Sequence, residues 1–290
     1  MMKLAKYISI ISIFALAAAD KAPKSPSEIA QAAPDSAWSQ INADDIVIFT
    51  LKDGREFTIE LADKLSPIHV ANIKKLVRAG WFEKTSIVRV QDNYVVQWGA
   101  PENTKLPDGI NLKPPAEYEF AKPKDFIALP FKDTFALHTG YINSWPVATD
   151  GKKAWPVHCY GAIGVGRDMS PDTGTGQELY TVIGQSPRHL DRNINISGRI
   201  LSGMENLTAH PRGTGTMGFY EKEEEKQPII GAKIASDLPE SERPKYQVLK
   251  TNTKTFQEWL HAKANRGAPF FIKPAGAVDI CNALLPIRKK

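Results

Sequence analysis

The sequence predicts a mainly β protein, a sandwich or a barrel, and three observations carry that expectation. Short β-branched and aromatic runs recur along the chain, turn signals separate them, and few stretches keep helical spacing. No internal repeat or heptad pattern interrupts this. A composition of 42% apolar and 24% charged residues suits a packed globular core.

The elements follow in order. Lys3 and Lys6 precede an apolar run from Ile8 to Ala19. That run is shorter than the ~20 apolar residues needed to cross a ~30 Å bilayer. It ends Leu16-Ala17-Ala18-Ala19, so residues 1–19 are expected to be a cleaved secretory signal. No Cys follows to take a lipid anchor, and no later stretch is apolar enough to span a membrane. Residues 20–43, rich in Pro, Ala and Ser, read as a flexible linker.

Order is expected from Asp45-Ile-Val-Ile-Phe-Thr-Leu51, a strand turned by Asp53-Gly54 into a second at Glu56–Leu61. Ser66 and Pro67 form a helix start, with Ser as N-cap. Val70, Ile73, Leu76 and Val77 make one apolar face, and Gly80 ends it. Strands are expected at Ser86–Val90 and Tyr94–Trp98. Residues 100–158 read as a long, Pro-rich, elaborated loop with short strands at Phe126–Leu129 and Thr134–Leu137. Further strands are expected at Val157–Val165, Leu179–Ile183, Ile194–Ile200 and Pro228–Ile234. Met204–Leu207 suggests a short helix, and Thr255–Ala264 an amphipathic helix in a C-terminal extension.

Several chemistries lack support. The net charge is +5, nearer +3 without Lys3 and Lys6, and the cations are scattered, so no nucleic-acid partner is expected. Gly213-Thr-Gly215-Thr-Met-Gly218 matches G-x-G-x-x-G, but no strand leads into it and no long helix follows; a Gly-rich turn is the better reading. Asp168, Asp172, Gly174 and Glu178 miss the calcium-loop register. The histidines show no zinc spacing, and neither G-x-S-x-G nor Walker A occurs. No cofactor is expected. Cys159 and Cys281 can pair in an oxidising compartment or stand as two small buried apolar residues; sequence leaves both open.

One constellation remains: Pro67-x-x-Val70-x-Asn72-Ile73-x-x-Leu76, Gly80-Trp81-Phe82, Ile87-Val88-Arg89-Val90, and Tyr94-Val95-Val96-Gln97-x-Gly99. It resembles the cyclophilin family of peptidyl-prolyl cis-trans isomerases, with its P-x-x-V-x-N-F-x-x-L, F-H-R-V and F-M-I-Q-G-G-D motifs. Gly161–Arg167 is similar to the family's G-x-x-S-M-A-N strand. Leu190-Asp191 with Gly198–Met204 resembles its L-D and G-R-V-x-x-G-M segment, and Ala232–Ala235 its closing strand.

The resemblance covers about 44–237, with the insertion at 100–158 and an extension at 238–290. It implies a closed eight-stranded antiparallel barrel capped by two helices, acting as a monomer on proline-containing segments of exported proteins. The implied catalytic pair is Arg89 and Gln97. The implied substrate-binding residues are Tyr94, Val95, Gly166, Arg167, Tyr180, His189 and Leu190. An X-Pro bond rotates over ~18–20 kcal/mol of amide resonance. A guanidinium donating to the pyramidal nitrogen favours the twisted state selectively.

The sequence departs from the family pattern in places. Ile194 stands where the family has a pocket histidine. Glu178-Leu179-Tyr180-Thr181 replaces Q-F-F-I, losing a substrate-contacting glutamine unless Gln177 substitutes. The altered wall admits a rival reading, a cyclophilin-like binding module or chaperone with little isomerase activity. The expected signal sends the protein out of the cytoplasm, to a bacterial periplasm first and to a eukaryotic secretory lumen as the open alternative. The absence of an implied nucleotide or cofactor fits either.

Overall fold

The computed structural model describes residues 23–101 and 104–290; the expected signal 1–19 lies outside the described residues. The helices are α1 (Pro26–Gln31), α2 (Pro67–Arg78), α3 (Met204–Thr208) and α4 (Lys254–Ala264). The strands begin with β1 (Trp38–Gln40), β2 (Ile46–Leu51), β3 (Glu56–Leu61), β4 (Ser86–Gln91), β5 (Val95–Gly99) and β6 (Phe120–Ala121). They continue with β7 (Ile127–Ala128), β8 (His138–Ile142), β9 (Trp145–Thr149), β10 (Lys153–Pro156) and β11 (Ala162–Val165). β12 (Leu179–Val182), β13 (Ile196–Ser202), β14 (Gln227–Ile234), β15 (Tyr246–Leu249) and β16 (Ile287–Lys289) complete the set.

Eight strands close an antiparallel barrel in the order β11-β12-β5-β4-β14-β2-β3-β13, with β13 pairing back to β11. Closure leaves no unpaired barrel edge. Inward side chains alternate along each strand and fill the interior. Phe49 stacks on Phe57 with ring centroids 4.7 Å apart, and Trp98 packs edge-on against both. The β2–β3 hairpin turns at Gly54, whose φ of +85° a side chain would resist.

α2 lays Val70, Ile73, Leu76 and Val77 on this core, the face that its spacing predicts. Gly80 ends it at φ +65°. Its start differs from expectation. Ser66 does not cap the helix; its hydroxyl donates to the Ile196 carbonyl at 3.0 Å. Instead Glu117, from the insertion, accepts the amides of Ile68 and His69 at 3.0 and 2.9 Å. A carboxylate there satisfies orphan donors and meets the positive end of the helix dipole. The second helix of the implied cap is the five-residue α3, whose Leu207 reaches the core.

The insertion corrects its reading as an elaborated loop. It builds a five-stranded sheet, β6-β10-β9-β8-β7. The strand expected at Thr134–Leu137 is absent; those residues form bends leading into β8. Val157–Val165 holds a strand only over Ala162–Val165, because Cys159 donates to the Val157 carbonyl and turns the chain.

The flexible reading of 20–43 is also corrected for its described part. Ala37, Trp38 and Ile41 are buried, α1 packs beside α4, and β1 pairs with β15, which pairs with β16. Burial of these side chains offsets the ordering entropy that composition alone would not. The lead-in, the insertion and the C-terminal extension thus share a second core, in which Trp38, Tyr141, Trp155, Phe256 and Trp259 meet. Cys159 and Cys281 are bonded across it, Sγ–Sγ 2.04 Å, tying the extension to the residue that directly follows the insertion.

Candidate active site

The site forms on the outer face of the barrel because of strand register. Arg89 on β4 pairs with Gln97 on β5, Gln97 with Tyr180 on β12, and Tyr180 with Gly164 on β11. Alternation sends Trp98 inward and Gln97 outward, so one row of residues crosses four adjacent strands. A register shift between Ile87 and Arg89 brings the arginine into line with Gln97. Gly164 has no side chain for a physical reason: a Cβ there would lie 2.1 Å from the Tyr180 ring.

The row lines a cavity of about 130 Å³, well below the ~300–1,000 Å³ of drug-sized sites. It admits one side chain or ring rather than a whole ligand. Arg89, Gln97, Tyr94, Val95, Gly166, Arg167, Tyr180 and Leu190 all line it. His189 is exposed and stands at the edge, its ring parallel to Tyr94 with centroids 6.4 Å apart. Ile194 contributes to the apolar wall where a histidine is implied. Gln177 is exposed and lies outside the lining; Glu178 is the one that faces in.

Arg89 is held on three sides. Its Nε donates to the Met217 carbonyl at 2.8 Å, one terminal nitrogen to Gln97 Oε1 at 2.9 Å, and the other to Gln91. Three bonds among five N–H donors leave two without a partner among the described residues. Tyr94 and Phe219 flank the guanidinium, their ring centroids 5.5 and 5.1 Å from Cζ. Burial lowers its pKa, with Tyr94 and Glu178 opposing. Arginine has so high an ordinary value that the group stays charged.

Gln97 accepts from Arg89 through Oε1, which fixes its amide, and Nε2 donates to Glu178. Glu178 is wedged between the Gly99 and Gly166 backbones; a Cβ on either would lie within 3.0 Å of its Cγ. Burial raises the pKa of this carboxyl. Asp168 pushes the same way, while the Gln97 bond and Arg89 oppose.

Tyr180 is anchored from behind. Its hydroxyl meets His158 Nε2 at 3.0 Å, and Asp191 accepts from the His158 amide at 2.9 Å and faces Nδ1 at 3.1 Å. A carboxylate facing Nδ1 favours the tautomer with the proton there, in which Nε2 accepts from the phenol. Arg188 bridges Asp191 to Asp133 of the insertion. Burial pushes the phenol's pKa far up, so it remains a neutral donor. Arg167 is drawn aside, donating to the Asn193 carbonyl at 2.9 Å and to its neighbour Asp168.

Sequence reasoning missed Glu178 as a participant, and also Gln91, Met217 and Phe219. Met217 lies in the Gly-rich turn and Phe219 directly follows it. Gly218, at φ +79°, lies so close to Gln91 that a Cβ would sit 2.7 Å from its Cα. This approach presses the turn onto β4 and brings the Met217 carbonyl to Arg89. The glycines were legible; the partner they pack against was not.

Comparisons with known proteins agree with this architecture. A family model described as "Cyclophilin type peptidyl-prolyl cis-trans isomerase/CLD" matches residues 46–234. A probable peptidyl-prolyl cis-trans isomerase of Brucella suis biovar 1 is 26% identical over 199 residues, covering 69% of this chain and 87% of the relative. Its counterpart in Brucella abortus is 25% identical over the same shares. The crystal structure of cyclophilin AquaCyp293 from Hirschia baltica superposes with a TM-score of 0.70 at 23% identity, covering 92% of this chain and 98% of that one. That likeness is one of fold, and it reaches beyond the barrel into the added segments. The match over 46–234, on a closed eight-stranded barrel, shows that the chain belongs to the cyclophilin-type peptidyl-prolyl cis-trans isomerase family.

Proposed function

We propose that the chain is an active prolyl isomerase of exported proteins and that Arg89 is its catalytic residue. The observation that carries this reading is the arrangement of Arg89: fixed by Met217, Gln97 and Gln91, with donors to spare beside a ring-sized cavity that has one apolar wall. A proline ring seats against Tyr94, Val95, Leu190 and Ile194. As the X-Pro bond twists, the nitrogen loses conjugation and its lone pair becomes an acceptor. A free N–H of Arg89 meets it only then, so the bond forms in the transition state and not in the planar ground state. Gln97 contacts the substrate chain, and the Gly166–Arg167 backbone runs alongside it. No covalent intermediate is needed.

A protease-coupled assay on short prolyl peptides tests this. Wild type should accelerate isomerisation, and Arg89→Ala should lose about a hundredfold in kcat/KM, the scale of removing one charge-stabilising donor. Equal rates for the two proteins would remove Arg89 from the mechanism. A wild type without activity that suppresses client aggregation would favour the binding-module reading.

Export belongs to the same proposal, supported by the charged and apolar pattern of residues 1–19 and by a cystine that an oxidising compartment maintains. Mass spectrometry of the protein from a periplasmic extract should find a chain beginning near residue 20. Retention of Met1–Ala19 there would overturn the signal assignment.

A further inference from the structure

A groove of about 1150 Å³ lies between α1 and α4, outside the barrel, and shares no lining residue with the Arg89 cavity. It exceeds the ~300–1,000 Å³ of small-molecule sites, so a length of polymer fills it better than a metabolite. Trp259, Phe271 and Leu284 give it an apolar lining.

Its charge is unbalanced. Lys24, Lys254, Lys263 and Arg266 line it against a single carboxylate, Glu258, which stands 3.6 Å from Lys254 Nζ. The other three cations have no carboxylate within 4.0 Å among the described residues. Two of them rest on rings instead: Lys263 lies 5.5 Å from the Trp259 centroid, and Arg266 5.4 Å from that of Phe271. Burial lowers the pKa of Lys263, and Arg266 adds to that, as expected of neighbouring cations without a counter-ion.

The mouth is apolar. The segment after α4 doubles back, with the Gly276 amide donating to the Ala264 carbonyl at 3.0 Å and that of Phe271 to Gly267 at 3.2 Å. This leaves Phe270 84% and Ile272 97% exposed beside the groove. Large apolar side chains displayed together beside a lined cavity mark an interaction surface more than chance exposure.

We propose that this groove binds an extended peptide segment combining acidic and apolar residues, at a site separate from the barrel cavity. Carboxylates of the segment neutralise Lys263 and Arg266; its apolar residues pack on Leu284, Phe270 and the exposed edge of Phe271. Charge complementarity sets the sign of the partner. Nucleic acid fits less well, since Trp259 is buried and Phe271 already carries a cation over its ring, where a base would stack. A lipid surface fits less well because the site is concave, walled by two helices.

Fluorescence anisotropy on the full-length chain tests the proposal with labelled proline-free peptides, which leave the isomerase cavity disengaged. A peptide of Leu, Phe, Glu and Asp should bind, and its affinity should fall as salt shortens the Debye length from about 10 Å toward about 3 Å. A counterpart with Lys in place of the acids should bind at least tenfold more weakly. Lys263→Glu with Arg266→Glu should also lose tenfold or more while isomerisation of a short prolyl peptide is unchanged. Phe270→Ser, at an exposed position, should weaken binding even if the double variant fails to fold. Equal affinity for both peptides, wild-type binding by folded variants, or binding only to anionic vesicles or single-stranded RNA would each overturn it.

Discussion

Arg89 spends three donors on the protein and keeps two for the cavity, so its usefulness depends on what holds the other three in place. Gln97 is the middle of that support, and Glu178 stands behind Gln97. The carboxylate gives Nε2 a charged acceptor and so keeps Oε1 turned toward the guanidinium. Its pKa lies above the ordinary glutamate range because it is buried, so lowering the pH protonates it while most exposed carboxylates are still charged. Activity should therefore fall on acidification through that range, and Glu178→Gln should flatten the profile. The stability sign runs the other way. A carboxyl raised in the folded state is penalised as an anion at neutral pH, relative to the unfolded chain, and the penalty vanishes on protonation. Glu178→Gln should thus leave the thermal midpoint unchanged or higher, checked by calorimetry beside the pH profile. A lower midpoint with an intact profile would assign Glu178 a structural role only. Arg89, Tyr94, Val95 and Gln97 were legible because they sit close together in sequence, on two adjacent strands and the turn between them, whereas Leu190 came only from the separate L-D motif. Glu178 showed only as a departure from a pattern. Met217 and Phe219 come from more than a hundred residues away, and local spacing carries no trace of that pairing.

Among elements, α2 shows how far a helix can depend on a distant segment. Its apolar face was readable from spacing, but its cap was not, because Glu117 lies 48 residues beyond the buried His69 that it also contacts. Glu117→Ala should cost about 1–3 kcal/mol, the scale of leaving buried polar groups unpaired, measured by chemical denaturation. A change below about 0.5 kcal/mol, typical of a surface substitution, would show that water replaces the cap. The insertion was misread for a related reason. β8 and β9 join through Asn143 and Ser144 at φ +47° and +68°, a tight hairpin turn made without the glycine that usually announces one. Pro146 within β9 argues against a strand on local grounds. Tertiary burial overrides both signals, with Tyr141, Val147 and Ala148 buried.

At the scale of the whole molecule, two main cores lie side by side, and the insertion is joined to the barrel both behind the site and away from it. Arg188 links Asp191 to Asp133 of the insertion, Arg199 pairs with Glu60 at 2.7 Å while its guanidinium Cζ stands 4.4 Å from the Trp145 ring centroid, and Cys159 follows His158 directly. The cystine closes a sequence separation of 122 residues. Cross-links of that span typically contribute about 2–5 kcal/mol by restricting the unfolded chain. Cys281→Ala should lower stability on that scale in a denaturant titration without abolishing isomerisation, since the Arg89 row belongs to the barrel. Loss of activity with an intact barrel signal would show that the second core holds the Tyr180 anchor in place.

The sheet β1-β15-β16 has a consequence in time. Every barrel strand is available once the chain has been made as far as Ile234, so the first core can close early during synthesis. β1 must then wait for β15, a pairing of very long sequence separation that forms slowly, and β15 for Ile287–Lys289 at the end of this sequence. Until both pairings form, Trp38, Phe256 and Trp259 have no complete shelter. The order of emergence, N-terminus first, thus makes the outer layer the slow and exposed stage of assembly.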